Sequence, residues 1–173
     1  YAYSAPPFRT KRFWWLANPT ITLPRGLLLP IAGWASVATV QRAEPWFLGS
    51  IFGLFILGAA TTKDFSDMKG DAAQGCITLP VRFGVRAAAW ITVPFLVFPF
   101  LMFPLGAASG VLHGNTAALA VLGFALALYG VYIAYLILRK PEELATESNH
   151  ASWKHMYLQM AAAQVGYAAC YWM

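Results

Sequence analysis

Five apolar stretches separated by short polar turns constrain this 173-residue chain more than any other feature. A helix crosses the roughly 30 Å hydrocarbon core of a bilayer with about 20 mostly apolar residues. Segments of that kind run from about Trp14 to Val40, Trp46 to Thr62, Ala87 to Gly106, Thr116 to Leu138 and His155 to Met173. Backbone at bilayer depth must satisfy its own hydrogen bonds, and the alternation of a barrel strand is absent, so all five are expected to be helices. The breakers Pro45, Gly70, Gly84, Gly110, Gly114 and Pro141 fall mainly between them. The expected fold is therefore all-α, an integral membrane helical bundle with five transmembrane helices. It forms a single membrane domain over residues 1–173, without a separable linker, internal repeat or low-complexity segment.

Composition excludes the other classes. With 59% hydrophobic and 11% charged residues, the chain is too apolar for an ordinary soluble domain, a disordered tail or a coiled coil. For the same reason the net charge of +5 points to no nucleic-acid partner and instead orients the chain in a lipid bilayer. Arg9, Lys11 and Arg12, then Lys63, Lys69, Arg82 and Arg86, then Arg139, Lys140 and Lys154 all fall on one side, against Arg42 alone on the other. Loops rich in Lys and Arg stay cytoplasmic, so the expected location is the cell membrane, multi-pass, with the N-terminal stretch and the loop from Lys63 to Arg86 in the cytoplasm. Cys76 and Cys170 lie far apart with no Cys/His cluster, and two free thiols without a role are expected. The chain starts at Tyr1 with neither an initiator Met nor a signal peptide, and is expected to be part of a longer protein.

The chemistry is concentrated in Thr62-Lys63-Asp64-Phe65-Ser66-Asp67-Met68-Lys69-Gly70-Asp71. At 100° per residue, Asp64, Asp67 and Asp71 fall within about 60° of one another on a helix. Carboxylates converging at the end of a membrane helix repel one another, and a hard divalent cation relieves that repulsion. Mg²⁺ typically takes one or two carboxylates together with waters and substrate phosphates, which Lys63 and Lys69 could also contact. A solvated loop of mixed charge is the plain alternative. Position argues against it, because six of the seven acids lie on the cytoplasmic side and half of those are in this run.

Two motifs carry a family resemblance. The string Lys63-Asp64-x-x-Asp67-x-x-Gly70-Asp71, followed by Gly75, Thr78-Leu79-Pro80-Val81 and Gly84, closely resembles the second aspartate-rich motif of the UbiA superfamily of intramembrane prenyltransferases. Tyr3-Ser4-Ala5-Pro6-Pro7-Phe8-Arg9-Thr10-Lys11 resembles that family's Tyr-Ser-x-Pro-Pro-x-Arg-x-Lys segment, and Arg25-Gly26-Leu27-Leu28-Leu29 is similar to a stretch in some members. Members have about nine membrane helices and a first aspartate-rich motif, Asn/Asp-x-x-x-Asp, which this chain lacks. The resemblance thus implies the C-terminal part of a prenyltransferase domain, inactive when isolated.

It further implies Mg²⁺-assisted transfer of a polyprenyl group from its diphosphate to an acceptor, most often an aromatic quinone or chlorophyll-type precursor and in some members a lipid alcohol. Asp64, Asp67 and Asp71 would be catalytic as metal ligands. Lys63, Arg9 and Lys11 would bind the diphosphate, and Tyr3, beside the phosphate motif, would face the allylic cation. Trp14, Trp15, Trp46, Trp90, Trp153 and Trp172 are expected in interfacial belts, and His113, His150 and His155 as ordinary polar residues. Arg25, inside an apolar segment, either snorkels or faces the bundle interior. A transporter, or a noncatalytic membrane scaffold with an acidic cation-binding loop, remains the alternative; against transport, the acids stand at a helix end rather than the midplane.

Overall fold

The computed structural model describes residues 2–146 and 149–173; Glu147, one of the acids counted above, lies outside them. All regular structure among the described residues is helical. The first segment comprises α1 (Trp14–Thr22), a π-helical stretch (Leu23–Leu28) and α2 (Leu29–Ala35). It is followed by α3 (Ala43–Ala73), the short α4 (Leu79–Phe83), and a broken third segment of α5 (Val85–Thr92), α6 (Pro94–Val97) and α7 (Met102–Ala108). Helices α8 (Thr116–Leu138) and α9 (Ala151–Trp172) complete the bundle.

Three of these segments are long and apolar enough to cross a membrane: Ala43–Ala73, Val85–Ala108 and Thr116–Leu138. The other two expected spans are helical but less regular or more polar. Pro19, Pro24 and Pro30 each remove a backbone donor from the first, whose hydrogen-bond ladder widens to π geometry between them. It ends at Ala35 instead of Val40. Lys154, His155, Gln159 and Gln164 dilute the apolar character of α9.

The second span is where the expectation changes most. Helix α3 runs 11 residues past Thr62 to Ala73, so the aspartate run is helix rather than loop. At 1.5 Å per residue its 31 residues measure about 46 Å, well beyond a hydrocarbon core of about 30 Å. Counted from Ala43, the first 20 or so residues use up that thickness, and the aspartates occupy the overhang. The helix stops where Gly75 adopts φ +69° and the Cys76 N–H donates to the Asp71 carbonyl at 2.8 Å, a Schellman stop that needs a residue free to turn left-handed.

Phe55, Phe65, Phe100 and Phe103 are fully buried, with Phe55 and Phe100 tilted at 57° and 5.3 Å between centroids. Gln159 of α9 donates to the Leu96 carbonyl at 3.1 Å and the Leu126 carbonyl at 2.9 Å, tying α6, α8 and α9 together. Small residues permit such close approach: a methyl group on Gly26 would come within 2.8 Å of Gly53 Cα in α3. Outward, Trp90, Phe98, Leu105, Val121, Phe124 and Leu128 are exposed, as expected of helices bathed in lipid on one side and packed on the other.

Candidate active site

Asp64 and Asp71 are 5% and 4% exposed, and Asp67, on the same face, is half-buried. This face sits near the C-terminal end of α3, where the helix dipole is itself negative and disfavours added anions. The compensating cation comes from the N-terminal segment. Its backbone folds back on itself, with the Lys11 N–H donating to the Tyr3 carbonyl at 3.1 Å and the Arg9 N–H to the Ala5 carbonyl at 2.9 Å. That fold sets Lys11 Nζ 2.6 Å from Asp71 Oδ1 and 5.9 Å from the Tyr3 ring centre. Further along, the Arg12 carbonyl accepts the Ile77 N–H at 3.4 Å, holding the segment against the turn after α3.

The structure therefore brings Tyr3, Lys11, Asp64 and Asp71 into one site. Arg9 stands at its edge, donating to Gln74 Oε1 at 3.4 Å, a partner that sequence reading missed for want of any charge to flag it. Lys63 points to a different side of α3, where it is exposed on the rim of a cavity. Burial, and after it the Asp64 and Asp71 carboxylates, raise the Tyr3 phenol far above its ordinary value, so it remains a protonated donor. Burial alone pulls the Lys11 ammonium down, but the hydrogen bond and charge of Asp71 outweigh it and the net shift is upward. Lys11 is held as a cation.

One oxygen on each buried carboxylate, Asp64 Oδ2 and Asp71 Oδ2, has no hydrogen-bond partner among the described residues. A buried carboxylate oxygen left unpaired is costly. Two of them on one helix face, with a single lysine between them and the N-terminal segment, suit a divalent oxygen-seeking cation that brings further ligands of its own. No group of three or more Asp, Glu, His or Cys side chains is already gathered to metal-binding distance among the described residues.

Beside this site opens a cavity of about 720 Å³. Its walls are the first helical segment, α3 and α9, and its rim reaches Thr62 and Lys63, one residue from Asp64. Most of the lining is apolar; among the described residues Arg25 and Lys63 supply its only charges, both positive. Arg25 is an exposed residue whose side chain also lines this cavity.

At the opposite end of α3 lies a second polar cluster that sequence reading did not single out. Glu44, 2% exposed, accepts from the His113 N–H at 2.7 Å, pairs with His113 Nδ1 at 2.8 Å and accepts from the Tyr167 hydroxyl at 2.7 Å. The available signal was an acid embedded at the head of an apolar helix. His113 is more than an ordinary loop residue, His155 bonds the Tyr129 hydroxyl at 2.7 Å, and buried His150 caps α9 by accepting the Ser152 N–H. Both cysteines are free and buried.

The sequence model described as the UbiA prenyltransferase family matches residues 1–157. Chlorophyll synthase, chloroplastic, of Oryza sativa subsp. japonica is 35% identical over 95 residues, covering 54% of this chain and 24% of that protein. The bacteriochlorophyll synthase 34 kDa chain of Chloroflexus aurantiacus is 29% identical over 170 residues, 97% of this chain and 53% of its own length. Glycinol 4-dimethylallyltransferase of Glycine max is 31% identical over 116 residues, 63% of this chain and 28% of that protein. The chain thus spans between about a quarter and a half of these relatives. No solved structure gives a significant match.

Proposed function

Because the chain belongs to the UbiA prenyltransferase family, we propose that it forms the diphosphate-binding part of an enzyme that moves a polyprenyl group from its diphosphate to an aromatic acceptor. The acceptor would be of quinone or chlorophyll-precursor type. In that reaction the allylic C–O bond breaks and diphosphate leaves with the electron pair. The prenyl carbon then bonds to the acceptor, which releases a proton. The observation that carries the reading is the pair of unpartnered, buried oxygens on Asp64 and Asp71, beside Lys11, with the rim of an apolar cavity at the neighbouring Thr62 and Lys63.

Asp64, Asp67 and Asp71 would hold Mg²⁺, which supplies Lewis-acid stabilisation of the departing diphosphate. Lys11 serves as a fixed cation for the diphosphate oxygens, aided by Arg9 from the edge and Lys63 from the rim. Tyr3, with its proton retained and its ring against Lys11, is placed to donate to a phosphate oxygen or to turn its π face to the allylic cation. The cavity excludes water from the chain and from the cation formed at its mouth. The charge asymmetry of the loops supports a cytoplasmic position for this site at the cell membrane.

The test uses the full-length protein in nanodiscs. Mg²⁺ and a nonhydrolysable prenyl diphosphate are each titrated in the absence and presence of the other. Mutual strengthening supports the enzyme. Metal binding indifferent to the diphosphate would indicate a transport or scaffold role.

A further inference from the structure

The three walls of the cavity agree on its direction and length. Along α3 the lining runs from Lys63 to Leu48, along α9 from Trp153 to Tyr167, and along the first segment from Ile21 to Gly33. At 1.5 Å per residue these are about 22, 21 and 18 Å. The cavity is thus a slot of about 20 Å with one end at Thr62 and Lys63, next in the chain to Asp64, and the other at Leu48, Gly33 and Tyr167.

At that far end stands an unusually constrained side chain. Tyr167 is 6% exposed, and its hydroxyl is held by Glu44, whose carboxylate is locked by two further bonds from His113. Its ring lies 6.0 Å from Phe103 and 6.2 Å from Tyr171, and Tyr171 meets Trp34 edge-on at 6.1 Å. Moving Tyr167 aside would strip a buried carboxylate of a partner and break an aromatic row spanning α2, α7 and α9. A side chain so fixed is a wall rather than a gate.

We propose that Tyr167, clamped by Glu44, is the floor of the cavity and sets the longest prenyl chain the site accepts. The inference rests on the reading of the cavity as the site of the donor's hydrocarbon tail. A rigid floor gives a sharp limit, since a chain one isoprene unit too long must leave its end outside or lift its diphosphate from the aspartates.

Gly33 offers a test from the opposite wall, because a Cβ added there meets nothing within 4 Å. Binding of trans-prenyl diphosphates from geranyl to solanesyl is measured with Mg²⁺ on the full-length protein in nanodiscs. Affinity is expected to rise with chain length and fall beyond a limit. Gly33→Phe should move that limit to shorter donors, weakening the longest wild-type binder by about tenfold or more while the shortest donors bind as before. Tyr167→Ala should move it to longer donors. An unchanged limit in a Gly33→Phe protein that still binds the shortest donors would overturn the floor and leave the donor site standing. Affinity in the wild type that never falls along the series would also overturn it. No binding of any donor by the wild type would instead overturn the donor-site reading itself.

Discussion

Lys11 Nζ lies 2.6 Å from Asp71 Oδ1, and this contact ties the N-terminal segment to the end of a 31-residue helix. The same ammonium faces the Tyr3 ring. Lys11 therefore occupies the place where a metal ion on Asp71 and an incoming diphosphate would each compete for or recruit it.

That competition gives opposite signs for two affinities. Lys11→Met should strengthen Mg²⁺ binding in the absence of donor, because Asp71 loses its resident cation. It should weaken prenyl diphosphate binding by about tenfold or more, since a charge-assisted hydrogen bond is worth about 1.5–3 kcal/mol and each 1.4 kcal/mol is tenfold. Calorimetric titration of each ligand checks both, and a parallel fall in the two affinities would assign Lys11 to structure alone.

Asp64→Asn, Asp67→Asn or Asp71→Asn in the full-length protein should lower turnover by about a hundredfold or more while membrane insertion is unchanged. Lewis-acid stabilisation of the leaving group amounts to several kcal/mol and is needed chiefly in the transition state. Prenyl diphosphate consumption at saturating Mg²⁺ is the measurement. Near-normal rates in all three variants would reduce the cluster to a solvated helix end.

Gly130→Ala should be destabilising by about 1–3 kcal/mol. The added methyl would run into the Leu96 backbone carbonyl, the same group that accepts from Gln159, so neither partner can yield cheaply. Thermal unfolding in detergent checks this, with Gly33→Ala, whose Cβ meets open space, as the variant expected to hold or gain stability.

Topology has its own test. A cysteine at exposed position 69 should react with a membrane-impermeant maleimide only from the cytoplasmic face, the native Cys76 and Cys170 being buried. Efficient labelling from the outside would reverse the orientation.

Several features are legible in the residues themselves because they depend on local sequence. Apolar runs of bilayer length announce helices, and α8 falls on the expected Thr116–Leu138. The spacing of Asp64, Asp67 and Asp71 announces one helical face. The charged loops argue for the orientation. The extension of α3 is less visible, since a stretch with three acids and two lysines reads as loop by hydropathy, and Gly70, expected as a breaker, lies inside the helix because a glycine lowers helix propensity without forbidding it.

Long-range geometry supplies the rest. Nothing in the residues around Arg9 and Lys11 says that the chain folds back to lay Lys11 on Asp71, 60 positions away, because the closing contact is an electrostatic one made only after both elements are placed. Glu44, His113 and Tyr167 come from three separate segments, and their mutual bonds follow from the need to satisfy one buried carboxylate once the helices have packed. Local sequence thus determined which segments are helical and where charge concentrates, since helix period and transfer free energy act residue by residue. Only the tertiary structure decided which charges meet and which helices wall the cavity, because those depend on the relative placement of helices joined by packing rather than by proximity in the chain.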